Sequence, residues 1–121
     1  RVVACQSALI ELLTRLRTEG KSVAAYGAAA KGATLLNSSG IGTDLLSFVV
    51  DRNVHKQGKL MPGCRLPIRP VEALLDTAPD CLLLLAWNFA DEIVSQQSEY
   101  VERGGRFFVP IPTPREIGGG R

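Results

Sequence analysis

Apolar positions in this chain recur with two periods, one helical and one of strand length. Val2, Cys5, Leu9, Leu12, Leu13 and Leu16 fall on one helical stripe, with Glu11, Arg15, Arg17 and Glu19 on other faces. Gly20 follows as a stop signal, so the first element is an amphipathic helix packed on a core or on another part of the protein. Val23-Ala24-Ala25-Tyr26 is then an apolar run of strand length, and a second helix is predicted over 30–37, ended by Ser38-Ser39-Gly40. Positions 45–50 read as a nearly all-apolar strand buried on both faces. Residues 52–69 are irregular, with a Pro62-Gly63 turn and a short edge strand at Leu66-Pro67-Ile68. A short helix opens on Pro70 and spans 70–76. Positions 81–87 form a central strand that runs into Asn88, which caps the next helix in a box-like arrangement with Asp91. Ile93, Tyr100 and Val101 give that helix its apolar side, Gly104-Gly105 ends it, and a last strand covers 106–112, closed by prolines.

Strands alternating with helices predict an α/β, Rossmann-like three-layer domain. Its sheet is mostly parallel, with four to five strands and helices on both faces. A single domain is expected over 1–117, with 118–121 as a glycine-rich tail or linker. With Arg1 rather than a methionine at its start, and with that tail, the chain reads as a piece of a longer protein. A methyltransferase domain in its own right is disfavoured, because the chain is short and no antiparallel hairpin is foreseen after Pro112.

Composition narrows the classes. The chain has 121 residues, 45% of them hydrophobic and 21% charged, as in a soluble globular domain. A net charge of +2 gives no nucleic-acid surface, and no apolar run reaches membrane-spanning length. Cys5, Cys64 and Cys81 form no CxxC and read as buried thiols in a reducing, cytoplasmic compartment.

Candidate chemistry gathers where strands end. Gly27, Ala29 and Gly32 occupy the three small-residue positions of G-x-G-x-x-G, at a strand-turn-helix junction that includes Ala28. Backbone N–H groups at such a helix start attract anions, and Lys31 adds a positive charge. It is not a Walker A loop, since Ala33-Thr34 stands where Lys-Ser/Thr is required. Asn37 lies one to two turns on, its amide pointing to the same cleft or fraying the helix end. Asp51 is placed to bind ribose hydroxyls as in dinucleotide-binding units, or to cap the next turn with Asn53. The loop after it carries Arg52, Lys56, Lys59 and His55, the one histidine, which has no partner of metal or triad spacing and reads as solvent-exposed. Trp87 beside Asn88 offers stacking or packing. There is no serine elbow and no paired carboxylates at helical spacing near the cleft. The chain reads as a binding domain without catalytic or metal-ligating residues of its own.

Tyr26-Gly27-Ala28-Ala29-Ala30-Lys31-Gly32 with Asn37, then Asp51, Lys56-Gln57-Gly58, Pro62-Gly63, Leu66-Pro67-Ile68, Pro79-Asp80, Ala86-Trp87-Asn88-Phe89-Ala90-Asp91-Glu92-Ile93 and Gly104-Gly105-Arg106-Phe107 resemble the C-terminal domain of the sugar C-methyltransferases. The resemblance runs from about Leu9 to Pro114. Family members methylate carbon 3 of keto-deoxysugars carried on a nucleoside diphosphate. They join an N-terminal zinc-binding region, a central domain that binds S-adenosylmethionine, and a Rossmann-like C-terminal domain. The resemblance implies that methyl donor, zinc and catalytic acid/base belong to the other two parts, and that this domain helps form the nucleotide-sugar site. It carries over Tyr26, Lys31, Asn37, Lys56, Trp87 and Asn88 as substrate-side residues, beside Gly27, Ala28 and Asp51 from the turn itself. Two other readings stay open: an NAD(P)-binding oxidoreductase module, for which Asp51 and the glycine turn speak, and an interaction module docking on the rest of its protein.

Overall fold

A computed structural model describes residues 2–117, and their side chains from position 7 onward. The side chains of Val2 and Cys5 and the tail at 118–121 lie outside the described residues. The chain runs α1 (Val2–Thr18), β1 (Val23–Tyr26), α2 (Ala30–Ser39), β2 (Val49–Val50), β3 (Ile68–Arg69), α3 (Ala73–Thr77) and β4 (Cys81–Leu84). A 3-10 turn (Trp87–Phe89) then leads to α4 (Ala90–Gln96), α5 (Ser98–Glu102), β5 (Arg106–Val109) and β6 (Arg115–Ile117). These build one six-stranded sheet of order β3-β2-β1-β4-β5-β6, parallel except for β6. The α/β class is the expected one. Among the described residues no helix is long and apolar enough to cross a membrane.

The period-two alternation of the central strands divides the core. Val23 and Ala25, with Leu83 and Phe108, face Leu9, Leu13, Leu16 and Leu36 of α1 and α2. Ala24 and Tyr26, with Leu82, Leu84 and Phe107, face Leu74, Ile93 and Tyr100 of α3, α4 and α5. A strand buried on both faces needs apolar residues at every position, which explains the unbroken runs in β1 and β4.

Several elements differ from the sequence reading. The strand over 45–50 is regular only at Val49–Val50. The Leu45 and Leu46 N–H groups both donate to Gly42 O, curling the chain so that Leu46 enters the core, and pairing with β1 begins at Ser47 N–H to Val23 O. The strand expected to Trp87 stops at Leu84, where both the Leu85 and Ala86 N–H groups donate to Tyr26 O. Residues 70–72 form a turn, and α3 begins at Ala73. The long helix after Asn88 is two, joined at Gln97 with φ −105° and ψ 38°. From α5 the Tyr100 hydroxyl donates to Pro79 O at 2.6 Å.

The largest correction lies at the C-terminal edge. A return strand does follow Pro112: β6 pairs antiparallel with β5, Phe107 opposite Ile117 and Val109 opposite Arg115. Arg106 seals this pair by donating from Nε and a terminal nitrogen to the two Glu116 carboxylate oxygens, each at 3.0 Å. The sheet therefore has six strands rather than four to five, and the argument from a missing hairpin falls away. The short, mostly polar Arg115-Glu116-Ile117 carries no strand-like alternation that a sequence pattern would detect.

Candidate functional site

Strand order reverses between β1 and β4, and the crevice beyond the carboxyl ends there is where open α/β sheets bind ligands. On one side of it Gly27 turns the chain out of β1 with φ +102°, a conformation that excludes most side chains. A Cβ at Gly27 would lie 3.1 Å from the Ala86 Cβ, and one at Gly32 would lie 2.9 Å from the Leu85 Cβ. Both glycines are thus required by the close approach of the turn and α2 to the end of β4. The second has the helix–strand packing role that the spaced pattern predicts for it.

The turn is clasped by the loop that follows β2. Asp51 Oδ2 accepts from the Ala28 N–H at 2.7 Å, and its Oδ1 accepts from the Asn53 N–H at 2.8 Å. Lys56 Nζ donates to Ala28 O at 3.1 Å, and Gln57 Nε2 donates to Asp51 O at 2.8 Å. Both polar groups of Ala28 are therefore engaged from within the chain. Asp51 takes the turn-capping position with Asn53 and holds the glycine turn as well. The Asp51 carboxylate, where a dinucleotide-binding unit would receive ribose hydroxyls, thus carries one backbone N–H on each oxygen.

On the other side of the crevice Asn88 does not cap a helix. No side-chain cap closes α4, whose preceding residue is Phe89, so the expected Asn88–Asp91 box is absent. Asn88 Oδ1 instead accepts from Lys31 Nζ at 2.9 Å, across the point where strand order reverses. The same ammonium sits 4.7 Å from the centre of the Trp87 ring. An amide and an aromatic face fix a flexible cation beside the first turn of α2, at an exposed position where such a ring contact contributes roughly 0.5–1 kcal/mol. Lys31 comes from α2 and Lys56 from the loop after β2, so two ammonium groups flank one helix N-terminus.

The remaining candidates lie apart from this centre. Asn37 Nδ2 donates to Pro62 O at 3.1 Å, and its side chain packs on Gly63, so it ties the 61–65 loop to α2 rather than pointing into the crevice or fraying the helix. Tyr26 is 5% exposed, with its ring in the second core and no hydrogen-bond partner for its hydroxyl among the described residues. Burial pushes its phenol pKa up, and the nearby Arg52 opposes that shift. His55 is exposed in the loop, its N–H donating to Asn53 Oδ1. Cys64 is half-buried, Cys81 is buried, and both are free thiols. Among the described residues no three His, Cys, Asp or Glu side chains group as metal ligands. Phe89, which the sequence reading leaves without a role, is 54% exposed at the end of the 3-10 turn. A second aromatic two residues after Trp87, beyond the end of the strand, was the available signal.

The fold is that of a Rossmann-like α/β domain, and comparison with known proteins supplies its class: residues 1–112 match the C-methyltransferase C-terminal domain family, to which the chain belongs. A curated relative, the C-methyltransferase NovU of Streptomyces niveus, is 49% identical over 107 residues. The match takes in 88% of this chain and 26% of the relative, so the chain spans about a quarter of that protein's length.

Proposed function

We propose that this chain is the substrate-side domain of an S-adenosylmethionine-dependent C-methyltransferase that acts on a keto-deoxysugar carried on a nucleoside diphosphate. The methyl donor, the catalytic acid/base and a structural zinc belong to the other regions of the protein. The family match supports the enzyme class, and the relative's name supports methylation at carbon.

The observation that carries the substrate reading is the pair of ammonium groups, Lys31 and Lys56, beside the N-terminal turn of α2 at the ligand edge of the sheet. A helix N-terminus presents unpaired N–H groups and a partial positive charge, and two cations beside it suit a diphosphate. The nicotinamide-dinucleotide reading is weaker, because Ala29 stands at the middle glycine position of the turn and places a Cβ where a pyrophosphate would approach the backbone.

Thermal unfolding with thymidine diphosphate, NAD and S-adenosylmethionine tests this. The expected result is a raised midpoint with the nucleoside diphosphate alone. Lys31→Ala removes a charged contact to phosphate and is expected to weaken that ligand about tenfold. A shift with NAD alone would replace this reading with the dinucleotide one.

A further inference from the structure

A groove of about 860 Å3 opens beyond the carboxyl ends of β4 and β5, next to the Lys31–Asn88 contact. Trp87, Phe89 and Ala90 form one wall, and Val109, Ile111 and Ile117 the other. Its size lies within the roughly 300–1,000 Å3 of small-molecule sites, and its mixture of apolar walls with a few polar groups is the usual one. The return strand β6, which the sequence pattern does not announce, completes the second wall.

Charge sorts what can lie where. Asp91 and Glu92, both exposed, line the groove with Arg115, which donates to Thr113 O, while Lys31 and Lys56 lie towards α2, where Asp51 holds the Ala28 N–H. The helix N-terminus and two ammonium groups favour phosphate over a groove whose two carboxylates outnumber its one guanidinium, so a nucleotide with its diphosphate at the lysines is expected to place its uncharged base and ribose in the groove. An aromatic surface is needed to hold a flat base. One face of Trp87 is taken by the Lys31 ammonium, whereas Phe89 stands more than half exposed on the same wall. We propose that Phe89 is the platform on which the base of the nucleoside diphosphate stacks, a reading that rests on the diphosphate assignment to Lys31. It gives the aromatic role to Phe89 and leaves Trp87 to position the lysine.

Trp87 is the one tryptophan of the sequence, so its emission reports on the crevice, with titration calorimetry as an independent readout. Thymidine diphosphate and inorganic pyrophosphate are titrated into the chain and into F89A, F89W and K31A. Phe89→Ala is expected to weaken thymidine diphosphate about tenfold, as loss of base–aromatic stacking does, and to leave pyrophosphate unchanged, while Phe89→Trp, read by calorimetry alone because it adds a second indole, restores affinity. Unchanged pyrophosphate binding also shows that F89A is folded. Lys31→Ala is expected to weaken both ligands. If F89A binds thymidine diphosphate as well as the unmodified chain does while K31A does not, stacking on Phe89 is overturned and the diphosphate assignment stands. If the unmodified chain binds neither ligand, the assignment fails and the stacking proposal with it.

Discussion

The Ala28 peptide is gripped from both ends, its N–H by Asp51 and its carbonyl by Lys56. A hydrogen bond to an ionised partner contributes about 1.5–3 kcal/mol, more than a neutral one. Asp51→Ala is therefore expected to destabilise the chain by about that amount, read as a lower urea midpoint, and an unchanged midpoint would contradict the clasp. Tyr100→Phe leaves the Pro79 carbonyl without its 2.6 Å donor at a buried site, for an expected loss of about 1 kcal/mol in the same assay. Asp51 was legible in the sequence as a polar residue at a strand end. Its local cap on the Asn53 N–H was legible too, whereas the Ala28 N–H was not, because that contact depends on how the end of β2 meets the glycine turn after β1. Asn88 shows the same limit. Its local spacing to Asp91 favours a cap, yet Lys31, far away in sequence, takes its oxygen through a sheet crossing that no local pattern encodes.

At the scale of elements, two contacts fix how strands and helices meet. Ser22 and Asp80 tie together the starts of β1 and β4: the Ser22 N–H and hydroxyl both donate to Asp80 Oδ2, and the Asp80 N–H donates to Ser22 Oγ. The Ser22 backbone N–H, foremost, holds the Asp80 carboxyl below its ordinary value of 3.8. A carboxyl depressed in the folded state adds stability above its unfolded pKa, and this is lost as pH falls through the folded value. The stability difference between the chain and Asp80→Asn should thus hold steady above about pH 4 and shrink below it. A difference independent of pH in acid melts would remove this role. Gly105 lies under the Tyr100 ring, which an added Cβ would overlap. Gly105→Ala should cost about 1–3 kcal/mol as overpacking, and a neutral substitution would show that α5 can shift. Apolar periodicity exposed α1, α2 and the strands. It did not expose the break at Gln97, which separates two helices sharing one apolar face, nor the curl at Gly42, where a buried leucine mimics a strand position.

For the whole molecule, alternation within β1 and β4 announced a sheet covered on both sides, and the order β3-β2-β1-β4-β5-β6 places the glycine turn and Asn88 across one crevice. The parallel part of this arrangement was legible, since buried strands separated by helices leave few alternatives. The antiparallel edge was not, because β6 is held largely by the Arg106–Glu116 pair and by backbone pairing rather than by an apolar pattern. The crevice thus lies between segments that the sequence marks with glycine, lysine and tryptophan, and the neighbouring groove gains a wall from a strand it leaves unmarked. The central claim is that the α2 N-terminus, with Lys31 and Lys56, receives the diphosphate of a nucleotide-linked sugar. Its most direct test is the amide NMR spectrum of the chain titrated with thymidine diphosphate. The account predicts saturable shifts at the amides of Ala29, Ala30, Lys31 and Gly32 and at the Trp87 indole N–H, lost in the Lys31→Ala, Lys56→Ala double variant. Shifts that spare these five signals, or that persist in the double variant, would contradict it.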